Sequence, residues 1–182
     1  MASYAKIAAV INLCDSLSGI TTKALYAPWY NKLLKTGRVI ALDMDFSCTS
    51  AGFKRKLKEG LQFVINTEGP WLIHCHAGVD RTGFVSMVLE AFMGAAMDDV
   101  INDYLESFSS GFESSIFEPN KTDSLVALQL LSVMSNSQAI NEHNLQRIAE
   151  TYLRTSIGLS AEETKLLWTK LTEKNNVYSL VQ

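Results

Sequence analysis

The sequence has few cysteines and no long hydrophobic run, and each shortage excludes a class of protein. Its three cysteines, Cys14, Cys48 and Cys75, are odd in number and widely spaced, which argues against a disulfide framework and for a reducing compartment. No run reaches the ~18 apolar residues that a membrane-spanning helix needs. Residues 1–16 lack the charged region and cleavage context of a signal peptide. We therefore expect a cytoplasmic protein without an integral membrane segment, although an upstream signal already removed would allow secretion.

Clustered positive charge is also missing. The formal net charge is −3, and charged residues make up 19% of the chain. The most basic run lies at 54–58, and its helical spacing is typical of a solvated helix face rather than of a docking patch. Because a nucleic-acid interface needs a basic face, we expect no nucleic-acid partner.

The apolar residues that are present indicate a folded α/β core. They account for 47% of 182 residues, enough for one globular domain. Three short apolar runs end in polar loops and predict buried strands, namely "KIAAVINL" (6–13), "RVIALDMDF" (38–46) and "WLIHC" (71–75). Helical patterns lie between and after them, at 27–37, 50–66 and 82–94. This alternation predicts an α/β fold with a mainly parallel sheet flanked by helices.

The second half of the chain shows no strand pattern. Four helical segments are predicted there, at 97–108, 124–135, 141–158 and 160–174, with a loop between the first two. Ser160 and Glu163 have the spacing of a capping box at the start of the last helix. We therefore expect a single domain over 1–182, with an α/β core in 1–95 and an all-helical part in 96–182.

The stretch "WLIHCHAGVDRTGF", residues 71–84, carries the candidate chemistry. A metal site is one interpretation of His74, Cys75 and His76, but alternate strand residues point to opposite faces, so at most two could bind one ion. The sequence has no second cluster of cysteine and histidine to complete a zinc site. Cys75 also lacks the partner of a Cys-x-x-Cys redox motif. We therefore expect neither a metal nor a redox pair here.

A phosphate-binding loop explains more of the same stretch. A predicted strand ends at Cys75, and a loop leads to Arg81, where a helix begins. Backbone N–H groups of such a loop, together with those of the helix N-terminus, form a concavity that favours an anion. The same groups would stabilise a thiolate, so we expect a lowered pKa for Cys75.

Neighbouring side chains suit this interpretation. Arg81 can bind phosphate oxygens with two hydrogen bonds, and Thr82 can donate its hydroxyl to the thiolate. Gly78 and Gly83 allow tight turns and close backbone approach. The two nitrogens of the His74 ring can orient the loop.

The segment "HCHAGVDRTGF" resembles the signature loop of the cysteine-based protein tyrosine phosphatase superfamily, in which His-Cys is followed by five residues and Arg-Thr/Ser-Gly. It is most similar to the atypical bacterial tyrosine/serine or tyrosine/lipid phosphatase branch, which has Asp directly before Arg, as Asp80 is here. The segments "VINLCDS", "VIALDMDF", 83–108 and 152–171 also resemble that branch, so the resemblance extends over most of the chain.

The resemblance implies a two-step hydrolysis of phosphate monoesters. The Cys75 thiolate would form a phosphocysteine, with Arg81 and the loop N–H groups on the phosphate oxygens and with no metal or cofactor. The implied phosphate-binding residues are those of the loop, namely His76, Ala77, Gly78, Val79, Asp80 and Arg81. The implied substrate is a phosphorylated protein or a small phosphate ester.

Two substrate alternatives and one non-catalytic alternative stay open. The branch often has lysine where this chain has Val79, and such a lysine holds the extra phosphates of inositol lipids. Its absence favours phosphotyrosine over phosphoinositide, although His76 could supply some charge. A non-catalytic phosphate-binding module is the other alternative. The branch also has an early strand before "VINL", which this sequence lacks. A truncated gene, an artificial boundary and a genuine variant are the open explanations. If the strand is missing, a pocket wall could be incomplete or could come from another chain.

Three aspartates compete for the role of general acid, which protonates the leaving oxygen. The resemblance assigns this role first to Asp80. Asp45 and Asp43 are alternatives because they lie 30 and 32 residues before Cys75, after the second predicted strand. Their other interpretation is that of a polar strand end, engaged in capping or solvated.

Overall fold

The structure, a computed structural model, describes residues 6–109, 121–136 and 138–173. Within these ranges the chain has the predicted α/β architecture, with three strands and eight helices. The strands are β1 (Ala9–Asn12), β2 (Val39–Ala41) and β3 (Trp71–His74).

The three strands form one parallel sheet in the order β2-β1-β3. β1 is buried along its whole length and lies in the centre of the sheet. Asn12, its last residue, pairs with Ala41 on one side and with His74 on the other. Because the strands are parallel, their carboxyl ends lie at one edge, and the loops after them at 13–16, 42–50 and 75–79 meet there.

The eight helices begin and end as follows: α1 Leu17–Ala24, α2 Pro28–Lys35, α3 Ala51–Asn66, α4 Asp80–Met93, α5 Met97–Ser109, α6 Lys121–Ser135, α7 Leu145–Thr155 and α8 Ala161–Thr172. Serine hydroxyls cap three of them, α1 through Ser16, α3 through Ser50 and α8 through Ser160. Ser160 and Glu163 form the reciprocal capping box that the sequence predicts.

Helix α4 lies at the centre of the fold and contacts α5, α6, α7 and α8 as well as β3. Nine of its 14 residues are buried. It approaches α5 so closely that a Cβ atom at Gly83 would lie 2.7 Å from the ring of Tyr104. Gly83 therefore serves helix packing rather than a turn. The helix ends at Gly94, whose φ of 90° lies in the left-handed region.

The prediction of element types is confirmed apart from one helix, and the other differences lie at element ends. The first two strands are shorter than predicted, although the N–H groups of Leu42 and Met44 beyond β2 still donate to the carbonyl oxygens of Asn12 and Leu13. Helix α1 was missed, since its sequence "LSGITTKA" is mostly polar and contains a glycine. The loop predicted between α5 and α6 falls mostly on 110–120, outside the described residues. None of the described helices combines the length and apolarity needed to cross a membrane.

Candidate active site

The candidate site lies at the carboxyl edge of the sheet, where β3 passes through a short loop into α4. Cys75 directly follows β3 and is only 8% exposed. Gly78 has a φ of +83°, and a Cβ atom added to it would meet no other atom within 4 Å, so backbone conformation, rather than crowding, requires glycine there. This conformation directs the Gly78 N–H to the Cys75 Sγ, at 3.3 Å.

The surroundings of Cys75 favour its thiolate form. Burial alone raises the pKa of this thiol, but the hydroxyl and N–H of Thr82, the N–H of Gly78 and the charge of Arg81 outweigh burial, so the pKa is lowered. The Thr82 Oγ1 atom is buried and has no hydrogen-bond partner of normal geometry. Its effect on the thiol is therefore that of a nearby dipole rather than of a formed hydrogen bond. Among the described residues, no group of three or more potential metal ligands occurs.

Arg81 is a buried cation with free bonding capacity. Its side chain is anchored at one point, where Nη1 donates to the Met44 carbonyl oxygen at 2.9 Å. One face of the guanidinium lies over the Phe46 ring, with Cζ 4.2 Å from the ring centroid. The Nε atom is buried and has no hydrogen-bond partner among the described residues. A buried donor without an acceptor costs free energy, so this atom is suited to an anionic ligand.

The N-terminus of α4 is also open to an anion. Helix α3 has its first N–H groups capped by the Ser50 hydroxyl, whereas no side chain caps α4, whose N-cap residue is Val79. The helix begins at Asp80, one residue before the position that the sequence indicated. His76 and Ala77 are exposed at the rim of the loop, and Val79 is half-buried. Free N–H groups at a helix start attract anions through hydrogen bonding and the helix dipole.

His74 lies behind the loop and contacts its first residue. Its Nδ1 atom is 3.1 Å from the Cys75 carbonyl oxygen, and its Nε2 atom is 3.5 Å from the Tyr30 hydroxyl. The ring thus joins β3 to α2, in a position consistent with the orienting role expected from the sequence.

The three candidate acids differ in how their carboxylates are engaged. Asp80 is exposed. Among the described residues, its carboxylate forms no side-chain hydrogen bond and no ion pair. It borders a cavity of about 150 Å³ together with Arg81, Phe46 and Phe84. Its carboxylate is therefore free to exchange a proton with a bound ligand.

The other two carboxylates already have partners. Asp45 accepts hydrogen bonds from the Ser47 N–H at 2.9 Å and from the Ser50 hydroxyl at 3.0 Å, so it supports the cap of α3. Asp43 is paired with Lys56, whose Nζ lies 3.9 Å from its carboxylate and also contacts its backbone oxygen. The hydrogen bonds of Asp45 fit the capping alternative that the sequence offered, whereas the ion pair of Asp43 was not among the alternatives.

Three groups at the site escaped the sequence reasoning: Asn12, the Met44 carbonyl and Phe46. Asn12 gave the one available signal, since it is a polar residue at the end of an apolar strand. Nothing local in sequence indicates that Met44 and Phe46, 35 or more residues before Arg81, would hold its guanidinium.

The chain is also similar to known phosphatases. A family model described as "Tyrosine phosphatase family" matches residues 35–173. A protein of Cupriavidus necator, provisionally named a tyrosine-protein phosphatase, is 44% identical over 57 residues. That match covers 31% of this chain and 18% of the relative, so the chain spans only a small part of the relative's length. No solved structure matches the chain significantly.

Proposed function

Because the chain belongs to the tyrosine phosphatase family, we propose that it is a phosphatase that hydrolyses phosphate monoesters, phosphotyrosine foremost, through a phosphocysteine intermediate. The observation that carries this proposal is the buried Arg81, whose Nε has no partner among the described residues while its charge contributes to the lowered pKa of Cys75. The nucleophile Cys75 and the anion-binding cation Arg81 are thus close neighbours in one site.

In the first step the Cys75 thiolate attacks phosphorus, so that a sulfur–phosphorus bond forms and the bond to the leaving oxygen breaks. Arg81 and the N–H groups at the start of α4 stabilise the charge on the non-transferring oxygens. Asp80 donates its proton to the leaving oxygen, because its carboxyl group is free and lies beside Arg81 in the chain.

In the second step water attacks phosphorus on the opposite side from sulfur. Asp80, now a carboxylate, accepts a proton from this water, and the sulfur–phosphorus bond breaks. Inorganic phosphate leaves, and Cys75 returns to its thiolate form. The scheme needs no metal and no cofactor.

An aromatic leaving group suits the cavity beside the site. Its lining combines Asp80 and Arg81 with apolar and aromatic side chains, including Phe46 and Phe84. Val79 offers no positive charge for additional phosphates on a lipid headgroup. A protein or small molecule carrying an aryl phosphate is thus the preferred substrate, with phosphoinositide as the alternative.

The first test is hydrolysis of p-nitrophenyl phosphate in the presence of EDTA. We expect activity in the wild type and a loss of roughly 10⁴-fold or more in Cys75→Ser, because the nucleophile is replaced by a weak one. Cys48→Ser is the comparison variant: burial raises the pKa of that half-buried thiol, and Cys48 borders the cavity beside Arg81, so we expect kcat to be retained and any change to be confined to KM. Wild-type protein that binds phosphate but shows no turnover would support a non-catalytic binding module instead.

A substrate panel then separates the two catalytic alternatives. Phosphotyrosine peptide, phosphoserine peptide and a soluble phosphoinositide would be compared by kcat/KM under the same conditions. The proposal expects the aryl ester to be hydrolysed fastest. A higher kcat/KM for the phosphoinositide would assign the protein to the lipid alternative.

A further inference from the structure

A connected set of polar groups lies behind the Cys75 loop, starting at Asn12. Asn12 is 1% exposed, and its Oδ1 accepts hydrogen bonds from the N–H groups of Cys14 and Asp15, each at 3.0 Å. Its Nδ2 contacts the Asp15 carboxylate at 3.1 Å and the Tyr30 hydroxyl at 3.2 Å. Because an amide nitrogen carries two protons and accepts none, Asn12 donates one to each of these partners.

The direction of the remaining hydrogen bonds follows from this assignment. The Tyr30 oxygen accepts from Asn12, so its own proton is available for the His74 Nε2, at 3.5 Å. On the other side of the ring, the His74 Nδ1 faces the Cys75 carbonyl oxygen at 3.1 Å. Since a carbonyl can only accept, Nδ1 must carry a proton. One consistent set of protons thus runs from Asn12 through Tyr30 and His74 to the backbone of Cys75.

We propose that Tyr30 is a positioning residue for the phosphatase reaction: by donating to Nε2 it holds the His74 imidazole as the neutral Nδ1–H tautomer, which anchors the Cys75 carbonyl at the start of the phosphate-binding loop. The kinetic part of this inference rests on the proposed function. The tautomer itself does not, so the two can be tested separately.

Anchoring this carbonyl has a direct consequence for ligand binding. The Cys75 C=O and the His76 N–H belong to one planar trans peptide unit and point in opposite directions. A fixed carbonyl on the side of His74 therefore fixes the direction of the His76 N–H, the first backbone donor after the nucleophile. Loss of the anchor would allow that peptide to rotate, and the loop would have to be ordered again each time an anion binds.

Tyr30 is suited to this role by its surroundings. It is half-buried, and burial raises its pKa, so the hydroxyl keeps the proton it must donate at neutral pH. Its ring meets those of Trp29 and His74 edge to face, each with centroids 6.2 Å apart. No residue of α2 is fully buried, and Tyr30, one of its half-buried residues, links this helix to the site through His74.

The direct test is the tautomer of His74, read from the ¹⁵N shifts and long-range proton couplings of the imidazole rings in ¹⁵N-labelled protein. The chain has three histidines, and the spectrum of His74→Asn assigns the signals. In the wild type we expect Nδ1 protonated and Nε2 unprotonated at neutral pH. In Tyr30→Phe, which removes only the hydroxyl, we expect a mixture of the two tautomers.

The matched control is Tyr26→Phe, because the Tyr26 side chain is 89% exposed. This variant should give the wild-type His74 signals. A wild-type ring protonated on Nε2 alone, or signals of Tyr30→Phe identical to those of the wild type, would overturn the proposal.

The kinetic test uses p-nitrophenyl phosphate. We expect Tyr30→Phe to lower kcat about five- to tenfold, the equivalent of about one hydrogen bond, with KM within about twofold. Tyr26→Phe should change neither. In a His74→Asn background, Tyr30→Phe should have no further effect, because it acts through the ring. A lower melting temperature and lower kcat with an unchanged tautomer would show a merely structural role and contradict the proposal; an inactive wild type with the expected tautomer would contradict only the proposed function.

Discussion

Two loops at the carboxyl edge of the sheet use their polar groups in opposite ways. The loop after β2 has its polar groups engaged: Asp43 pairs with Lys56 of α3, Asp45 accepts from the Ser50 hydroxyl, and the Met44 carbonyl accepts from Arg81 of α4. The loop after β3, with the first turn of α4, leaves several groups without partners. These include Arg81 Nε and the Thr82 hydroxyl, both buried.

The polar groups of the loop after β2 stabilise the fold, whereas the unpartnered groups of the loop after β3 and the first turn of α4 are available to a ligand. A buried donor without an acceptor costs about 1–3 kcal/mol in stability, so natural proteins keep few of them. Arg81 and Thr82 each carry such a donor beside the uncapped start of α4. A bound anion would supply the acceptors that these donors lack. The first loop, by contrast, is already complete and serves as a support for Arg81.

Among the changes that test this comparison of the two loops, the largest is expected from Arg81→Lys, which keeps the charge but removes the planar donor pair. Lysine cannot bind phosphate oxygens with two parallel hydrogen bonds. It also cannot reproduce both the Met44 contact and the stacking on Phe46. We expect kcat/KM for p-nitrophenyl phosphate to fall about 10³-fold. Arg154→Lys, an exposed position on α7, is the control; a loss below tenfold at Arg81 would mean that the site does not depend on bidentate binding.

The second prediction compares Asp80, whose carboxylate is free, with Asp45, whose carboxylate accepts hydrogen bonds from Ser47 and Ser50. Asp80→Asn should lower kcat about 10²-fold for a poor leaving group such as phenyl phosphate, because a general acid is lost. Asp45→Asn should leave kcat within about threefold but lower the free energy of unfolding by about 0.5–1 kcal/mol, since it weakens the support of the α3 cap. Kinetics and urea unfolding of both variants measure this, and the reverse ranking of activities would move the acid to the loop after β2.

A smaller effect is expected from Thr82→Val, which tests the unpartnered hydroxyl. This hydroxyl lowers the pKa of Cys75, so its removal should raise that pKa toward the ordinary value. Alkylation of Cys75 by iodoacetate would then become slower near pH 6, where less thiolate remains, while the rate at high pH would stay unchanged. Thr155→Val, on the exposed face of α7, is the control. An unchanged pH profile would show that the loop N–H groups and Arg81 suffice.

The smallest effect concerns stability away from the site. Burial and the neighbouring Asp103 carboxylate raise the pKa of Glu90 on α4 to about 7. The folded state then binds a proton that the unfolded state releases near 4.5, so the stability that comes from this group is present at low pH and lost as pH rises toward 7. Glu90→Gln should therefore raise the melting temperature at pH 8 by about 2–4 °C, or about 1 kcal/mol after allowance for solvent screening.

That gain should shrink toward pH 4.5, where Glu90 of the folded wild type is itself protonated. Melting temperatures measured by circular dichroism between pH 4.5 and 8.5 would follow the difference. Glu150→Gln, on an exposed part of α7, should show no such trend. A constant offset between Glu90→Gln and the wild type at every pH would exclude protonation of Glu90 as the cause of the difference.

The sequence predicted the elements whose signals are local. Apolar runs with polar ends marked the three strands, and serine with glutamate three residues later marked the start of α8. The candidate loop was also accessible, because its chemistry lies within 11 consecutive residues, 74–84. Helix α1 was not accessible, since tertiary contacts of Ile20 and Ala24, rather than a periodic apolar face, stabilise it.

The supports of the site could not be predicted for a different reason. Asn12 lies at the end of β1, Phe46 in the loop after β2 and Tyr30 on α2. They come together only in the folded chain, and a single sequence does not specify which loops and helices meet. The roles of Asp80 and Asp45 were likewise open, because the engagement of Asp45 with Ser50 depends on the turn between them. Spacing along the chain indicated where acids are, but not which of them is free.

The burial of α4 also bears on how new specificities could arise on this scaffold. Most positions of that helix are enclosed, and even an added methyl group at Gly83 would displace the ring of Tyr104. Most substitutions on α4 would therefore destabilise the fold before they could alter substrate choice. Helix α2 has no fully buried residue, and its positions Lys32 and Lys35 are exposed, so these can change at little cost in folding. A library for directed evolution of substrate range should therefore randomise the exposed positions of α2 and leave α4 unchanged.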